Sequence, residues 1–261
     1  MKVGVFTDAT AAAKAAAEHL IEMKNGVTPF NLGVATGSTP LPLYEELRAA
    51  HAEGTFSLAD SKAFALDEYI GLEPGHPESY RKVLQDELVG DDKTGLTDQN
   101  LFTPNGNVEF PEGAHEAADA YDAAISDNGG VNLQILGIGS NGHIGFNEPG
   151  ISLSSRTHVD ALARQTREDN ARFFDDDLDK VPDMCITQGL GTIMEADHIV
   201  LLATGAGKAD AIAAAVEGPI TSSCPASILQ MHPSVRVYVD EAAASKLENL
   251  DMHKVRWELL V

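Results

Sequence analysis

The chain has 261 residues and is 43% hydrophobic, so it can bury a sizeable core. Its 40 acidic and 18 basic residues give a formal net charge of -22, which disfavours nucleic acid and anionic membranes as partners. No stretch approaches the roughly 18 apolar residues of a membrane span, and the first residues lack the features of a signal peptide. We therefore expect one cytoplasmic domain over residues 1–261, because no linker divides the chain.

The two cysteines, Cys185 and Cys224, are too few for a disulfide framework and lack zinc-binding spacing. They are predicted to be buried thiols in a reducing compartment. A reactive thiol is the alternative, although neither cysteine has a basic neighbour in sequence. The acidic excess is interpreted as a solvated surface, with adaptation to high salt as the alternative.

Strands and helices alternate in the predicted chain order. A first strand, Met1–Phe6, is followed by an alanine-rich helix that Asp8 or Thr10 can cap. The other predicted strands cover residues 30–35, 61–66, 133–138, 198–203 and 236–240. The predicted helices cover residues 11–24, 41–52, 80–88, 112–126, 166–174 and 209–216, with a short one ending near Glu195 and a long surface connection at 90–113. Continuously apolar strands alternating with helices predict an open, mostly parallel, Rossmann-like α/β sheet with helices on both faces.

The second strand leads into Thr36-Gly-Ser-Thr-Pro40, a strand-to-helix junction that could bind an anion. The anion would be bound by exposed amides at the helix start, at Gly37 and Ser38, and by the hydroxyls of Ser38 and Thr39. The sequence lacks the Gly-Lys-Ser/Thr ending of a Walker loop. An ordinary turn is the alternative. Lys208 begins a helix at a similar glycine-rich junction, where a solvent-facing lysine is the alternative.

Candidate proton-transfer groups follow the third strand and the central strand. Asp67 and Glu68 come directly after the apolar run 61–66, and we expect one of them, Asp67, to be a base. The central strand breaks into a glycine-rich loop that carries Asn141, His143 and Glu148. The carboxyl ends of strands in such sheets are where ligands bind, so a carboxylate near a histidine there predicts acid–base chemistry.

Several motifs together resemble the glucosamine-6-phosphate deaminase family. They are Ala35-Thr-Gly-Ser-Thr-Pro40, Leu66-Asp-Glu-Tyr-Ile-Gly-Leu72, His76-Pro-Glu-Ser-Tyr80, the run from Gly137 to Pro149, Ser155-Arg-Thr157, Asn170-Ala-Arg-Phe-Phe174, Gly205-Ala-Gly-Lys208 and Ala215-Val-Glu-Gly218. They occur in family order from about residue 30 to 240, and Gly-His-Ile-Gly-Phe-Asn-Glu-Pro is the most specific of them.

The resemblance implies conversion of glucosamine 6-phosphate and water to fructose 6-phosphate and ammonium, without metal or cofactor. It implies that Asp67 moves the C2 proton to C1 and that His143 opens the sugar ring. Glu148 would orient His143. Ser38, Thr39, Arg172 and Lys208 would bind the phosphate, together with the backbone amide of Gly37. Arg172 has an alternative role in a surface ion pair with the acidic run that begins at Asp175.

The sequence departs from some members of the family at residue 141 and in the segment after the Ser-Arg-Thr motif. Asn141 stands where some members carry Asp, so it can orient His143 but cannot share a proton with it. Regulated, hexameric members bind an N-acetylated sugar phosphate through basic residues after the Ser-Arg-Thr motif. His158 and Asp160 occupy those places here, with Ile151 nearby, so we expect no activator site and allow for an assembly smaller than a hexamer.

Other functions fit less well. A galactosamine-6-phosphate isomerase differs only in the C4 epimer it accepts, which the sequence does not reveal. A 6-phosphogluconolactonase has no use for a C2 base. A non-catalytic sugar-phosphate sensor would need a DNA-binding segment and could lack Asp67 and His143, yet both residues are present.

Overall fold

The computed structural model describes residues 1–261. The strands are β1 (Lys2–Phe6), β2 (Asn31–Val34), β3 (Lys62–Ala65), β4 (Asp67–Tyr69), β5 (Leu101–Phe102), β6 (Leu133–Leu136), β7 (His158–Ala161), β8 (Met184–Thr187), β9 (His198–Ala203) and β10 (Val235–Asp240). The helices are α1 (Ala9–Gly26), α2 (Leu41–Ala52), α3 (Tyr80–Leu88), α4 (Glu112–Asp127), α5 (Arg164–Asn170), α6 (Leu190–Ile193), α7 (Ala209–Val216) and α8 (Leu250–Leu260).

Seven strands form one sheet in the order β1-β10-β9-β6-β2-β3-β5, and all their pairings are parallel. β2 and β6 are buried along their whole length, as expected of strands covered on both faces. The largest apolar cluster joins the sheet to the helices on either side. The prediction of an open, mostly parallel α/β sheet is confirmed.

Local sequence signals begin several helices where they were expected. The Asp8 side chain accepts a hydrogen bond from the Ala11 amide at 2.9 Å and caps α1. Ser79 caps α3 in the same way, through the Lys82 amide at 3.2 Å. Pro40 directly precedes α2, where its missing N–H costs no helical hydrogen bond.

A second, antiparallel sheet with the order β4-β8-β7 was not predicted. β4 follows β3 after one residue, so the chain passes directly from the parallel sheet into the antiparallel one. Asp67, the first residue of β4, lies opposite Thr187 of β8. Because Thr187 also pairs with His158 of β7, the three strands form one layer beside the carboxyl ends of the main sheet.

One expectation for the less regular segments was wrong. Residues 90–113 were predicted to be a surface connection, but they contain a turn at Asp98–Asn100 and the edge strand β5, which pairs with β3. The carboxyl-terminal segment forms α8, which packs on β1. Cys185 and Cys224 are buried and unpaired, as predicted. None of the helices combines the length and apolarity needed to cross a bilayer.

Candidate active site

A cleft opens at the carboxyl ends of β2, β3, β6 and β9. β2 and β6 are neighbours in the sheet. After β2 the chain enters β3 on one side of this pair, and after β6 the next strand of the same sheet, β9, lies on the other side. Such a reversal of strand order is where open α/β sheets bind ligands. The predicted site residues that line the cleft are Gly37, Ser38, Thr39, Asp67, His143, Arg172 and Lys208. Asn141 and Glu148 contact each other, and Asn141 contacts the ring of His143.

Asp67 forms part of the cleft wall although only 5% of the residue is exposed. Burial raises the pKa of its carboxyl group well above the usual range, and the charge of Glu68 adds to the effect. The loop after β6 comes close to it at Gly145, which has a φ of 57°. A Cβ at Gly145 would lie 2.9 Å from Thr187 Oγ1 and 3.4 Å from Asp67 Oδ2, so a glycine is needed for this approach.

The neighbouring carboxylate of Glu68 has a different role. Its Oε1 accepts hydrogen bonds from the amides of Tyr69 and Tyr80, each at 2.9 Å. Its Oε2 accepts one from the Arg81 amide, also at 2.9 Å. Burial raises the pKa of Glu68 although these bonds oppose the shift. Glu68 therefore anchors the start of α3, and Asp67 is the acid of this pair that lines the cleft.

His143 is the other predicted proton-transfer residue that lines the cleft, and its ring contacts Asn141 on the side away from the cleft. His143 Nδ1 lies 2.8 Å from Asn141 Oδ1, and Asn141 Nδ2 donates to Glu148 Oε2 at 2.8 Å. The direct distance from His143 Nδ1 to Glu148 Oε2 is 3.6 Å, longer than a normal hydrogen bond. Glu148 therefore contacts His143 through Asn141, and it also interacts with the His143 ring directly through its charge.

Glu148 is kept ionised by its surroundings. Burial alone would raise its pKa, but nearby His143 and hydrogen bonds from Thr166 and Asn141 outweigh burial and lower the pKa to about 2. The Thr166 hydroxyl donates to Glu148 Oε1, and Thr166 also lines the cleft. Sequence reasoning missed Thr166, because a threonine inside a predicted helix carries no signal that it faces a loop 18 residues earlier.

The other end of the cleft is cationic. Gly37, with a φ of 89°, turns the chain so that Ser38 and Thr39 lie ahead of α2. The Arg172 guanidinium donates from Nη2 to Ser38 Oγ at 3.2 Å and lies 4.7 Å from the centre of the Phe173 ring. Lys208 directly precedes α7, where the helix dipole also favours an anion.

Lys208 is partly removed from solvent. Burial lowers the pKa of its ammonium group, the charge of Asp169 opposes the shift, and the charge of Arg172 adds to it. In the acidic run after Phe174, Asp175 pairs with Lys180 at 3.0 Å. Arg172 instead bonds to Ser38, so the alternative of a surface ion pair with Asp175 is not what the structure shows.

The Ser-Arg-Thr motif at 155–157 has a structural role outside the cleft. The Arg156 guanidinium binds Asp122 at 2.8 Å and Glu195 at 2.6 Å. Asp122 also accepts hydrogen bonds from the hydroxyls of Thr157 and Thr192, each at 2.8 Å. Together these contacts tie the segment before β7 to α4 and to α6.

A family model described as glucosamine-6-phosphate isomerases/6-phosphogluconolactonase matches residues 7–238. The chain belongs to this family. Among its relatives, a glucosamine-6-phosphate deaminase of Streptomyces coelicolor is 50% identical over 99% of both chains. Another glucosamine-6-phosphate deaminase, from Streptomyces avermitilis, is 52% identical over 96% of this chain and 94% of its own.

Solved structures show the same family fold. A protein described as a monomeric glucosamine-6-phosphate deaminase superposes with a TM-score of 0.89 at 36% identity, over 94% of this chain and 100% of its own. The 6-phosphogluconolactonase of Trypanosoma brucei superposes with a TM-score of 0.76 at 19% identity, over 94% of this chain and 98% of its own. At that identity the likeness to the lactonase extends to the fold alone.

Proposed function

We propose that the chain is a glucosamine-6-phosphate deaminase of amino-sugar catabolism, which converts glucosamine 6-phosphate and water to fructose 6-phosphate and ammonium. The observation that carries the proposal is the shared cleft: a buried carboxylate, Asp67, and a histidine, His143, face the same space as the cations Arg172 and Lys208. A sugar phosphate needs an anion site at one end and proton-transfer groups at the other, and the cleft offers both.

The phosphate would bind at the cationic end. Ser38, Thr39 and the amide of Gly37 would donate hydrogen bonds, and Arg172 and Lys208 would balance the charge. In a protein with a net charge of -22, this local concentration of cations gives an anionic substrate a place to bind. Binding there would direct the sugar carbons toward Asp67 and His143.

His143 would open the pyranose ring. With Nδ1 donating to Asn141 Oδ1, Nε2 is the ring nitrogen left to exchange a proton with the sugar. It would take the proton of the C1 hydroxyl and return one to the ring oxygen, giving the open-chain aldehyde. The ionised Glu148, acting through Asn141, would hold the ring in this tautomer.

Asp67 would then take the proton from C2 and return it to C1. Removal of the C2 proton, with transfer of a proton from the C2 ammonium group to the carbonyl oxygen, gives an enol that carries a neutral amine on C2. Protonation at C1 by Asp67 then gives a protonated imine at C2. Water adds to that carbon and ammonium leaves, which accounts for every atom without an oxidant or a reductant. A base with a raised pKa suits this step, because it retains the proton long enough to return it.

Lactone hydrolysis is the alternative chemistry within the family. Nothing in hydrolysis of an ester bond requires a base at the carbon next to the carbonyl, so Asp67 favours the deaminase. The deaminase relatives at 50–52% identity support the same choice. We further propose that residues 1–261 act as one cytoplasmic domain without a metal or cofactor, and that one chain suffices for the site.

The test is an ammonia-release assay with the 6-phosphates of glucosamine, galactosamine and N-acetylglucosamine, beside hydrolysis of 6-phosphogluconolactone. We expect ammonia and fructose 6-phosphate from glucosamine 6-phosphate alone. Lactone hydrolysis without ammonia release would refute the proposal, and equal rates with both amino sugars would show that the C4 epimers are not distinguished.

A further inference from the structure

The cationic end of the cleft contains a carboxylate that the proposed reaction does not use. Asp169 lines the cleft together with Ser38, Thr39, Arg172 and Lys208. A second, adjoining recess beside α2 and β9 is lined by the same five residues. A negative charge at a place built for a phosphate is unexpected, because it repels the ligand.

Local structure does not explain why residue 169 is charged. Its Oδ1 accepts a hydrogen bond from Gln165 Nε2 at 3.0 Å, one turn earlier in α5, and a neutral amide oxygen would accept the same bond. Asp169 also lies in the last turn of α5, where the exposed carbonyl groups disfavour a negative charge. The charge is therefore not required to build the helix.

The carboxylate does act on the anion site through space. Its charge favours the protonated form of Lys208, whereas burial and Arg172 disfavour it. When phosphate is absent, Asp169 is thus a counterion for Lys208. When phosphate binds, the same carboxylate becomes a neighbouring like charge.

We propose that Asp169 is an affinity-determining residue of the phosphate site, which weakens phosphate binding and makes it less sensitive to salt. This inference deepens the proposed function and rests on its assignment of the phosphate to Arg172 and Lys208. With Asp169 the site has two positive charges and one negative; without it, two positive charges remain unopposed. Electrostatic binding by a site of higher net charge is tighter, and it is screened more strongly by added salt.

The test is Asp169→Asn, which removes the charge and keeps the hydrogen bond from Gln165. Two quantities are measured at low and high sodium chloride: the KM and kcat for glucosamine 6-phosphate, and the Kd of inorganic phosphate by calorimetry. The matched control is Glu168→Gln, which makes the same change in net charge on the same helix. Glu168 pairs with Arg164 at 2.7 Å and does not line the cleft.

We expect KM and the phosphate Kd of Asp169→Asn to fall about three- to tenfold at low salt, with kcat little changed and the difference shrinking as salt rises. Glu168→Gln should have the same KM and the same phosphate Kd as the parent protein. Unchanged KM and Kd, or an equal change in Glu168→Gln, would overturn the inference. A lower phosphate Kd in a protein that releases no ammonia would support the role of Asp169 and refute only the proposed reaction.

Discussion

The side-chain oxygen of Asn141 lies 2.8 Å from Nδ1 of His143 and also accepts the His143 backbone amide at 3.1 Å. One oxygen therefore fixes both the ring and the main chain of the residue that we assign to ring opening. The NH2 group of the same Asn141 amide donates to Glu148. Because an ionised carboxylate can only accept hydrogen bonds, Glu148 determines which way the Asn141 amide faces. A hydrogen bond made by one ring nitrogen of a histidine determines which of its two nitrogens carries the proton.

Glu148→Gln should lower kcat more than it changes KM, because Gln can turn its own amide toward Asn141 and disturb the chain that ends at His143. The substitution should also destabilise the fold. A folded-state pKa of about 2 lies below the usual value of 4.5, so ionised Glu148 contributes stability above pH 4.5 that is lost as the pH falls toward 2. The difference in Tm between parent and variant should thus shrink on acidification. A difference that does not vary with pH would contradict this account.

Asp67→Asn should reduce ammonia release by about 10²–10⁴-fold while the substrate still binds, since a general base is lost and the phosphate site is intact. Exchange of solvent deuterium into the sugar should disappear with turnover. In the parent protein, kcat/KM should fall as the pH drops through the raised pKa of Asp67, because the base must be ionised. A variant with near-normal turnover would remove Asp67 from the mechanism.

The same variant should be more stable than the parent near neutral pH. The folded-state pKa of Asp67 is raised, so the stability it contributes is fully present below the unfolded pKa of 3.8 and is lost as the pH rises through the folded value. Asn carries no such cost. The Tm advantage of Asp67→Asn, followed by calorimetry, should therefore grow with pH and then level off. A Tm advantage of Asp67→Asn that grows as the pH falls would contradict this account.

Lys208→Ala and Arg172→Ala should each raise KM with a smaller effect on kcat, because the phosphate does not react and its contacts exist before the transition state. Charge-assisted hydrogen bonds contribute roughly 1.5–3 kcal/mol, which corresponds to about a 10- to 150-fold change in KM. Lys180→Ala is a matched control, since Lys180 pairs with Asp175 on the surface. Loss of kcat at unchanged KM would place these cations in the chemical step.

N-acetylglucosamine 6-phosphate should not activate the protein. An effector shifts a conformational equilibrium only if it binds one state better than the other, and a phosphate needs cations or oriented amides. His158 and Asp160 lie on β7 with His158 Nε2 3.7 Å from Asp160 Oδ2, so the acid offsets the one titratable base there. Rate against substrate should be hyperbolic with or without the compound. A sigmoidal curve that becomes hyperbolic on its addition would reveal an activator site.

The sequence predicted the parallel sheet because its strands are mostly apolar runs, several of which end in glycine-rich turns and alternate with helices. It did not predict the antiparallel sheet, whose strands are joined by pairings more than 20 residues apart. The run Lys62–Tyr69 gives no local sign that it changes sheets after Ala65. Asp67 and His143 could be predicted because they lie in local motifs at the ends of apolar strands. Thr166 and Asp169 lie in no such motif, so only their positions in the folded chain identified them.

Trp257, the only tryptophan, lies on α8 against Phe6 and Tyr238, with ring centres 5.9 and 5.1 Å away. Phe6 belongs to β1, the edge strand at one end of the main sheet, whereas the cleft opens around β6 and β2. Intrinsic tryptophan emission will therefore report whether α8 remains packed on that edge, and it will be a poor reporter of sugar binding. A Trp257→Phe protein would have no tryptophan emission, so a tryptophan introduced near the cleft could follow ligand binding without a background from α8.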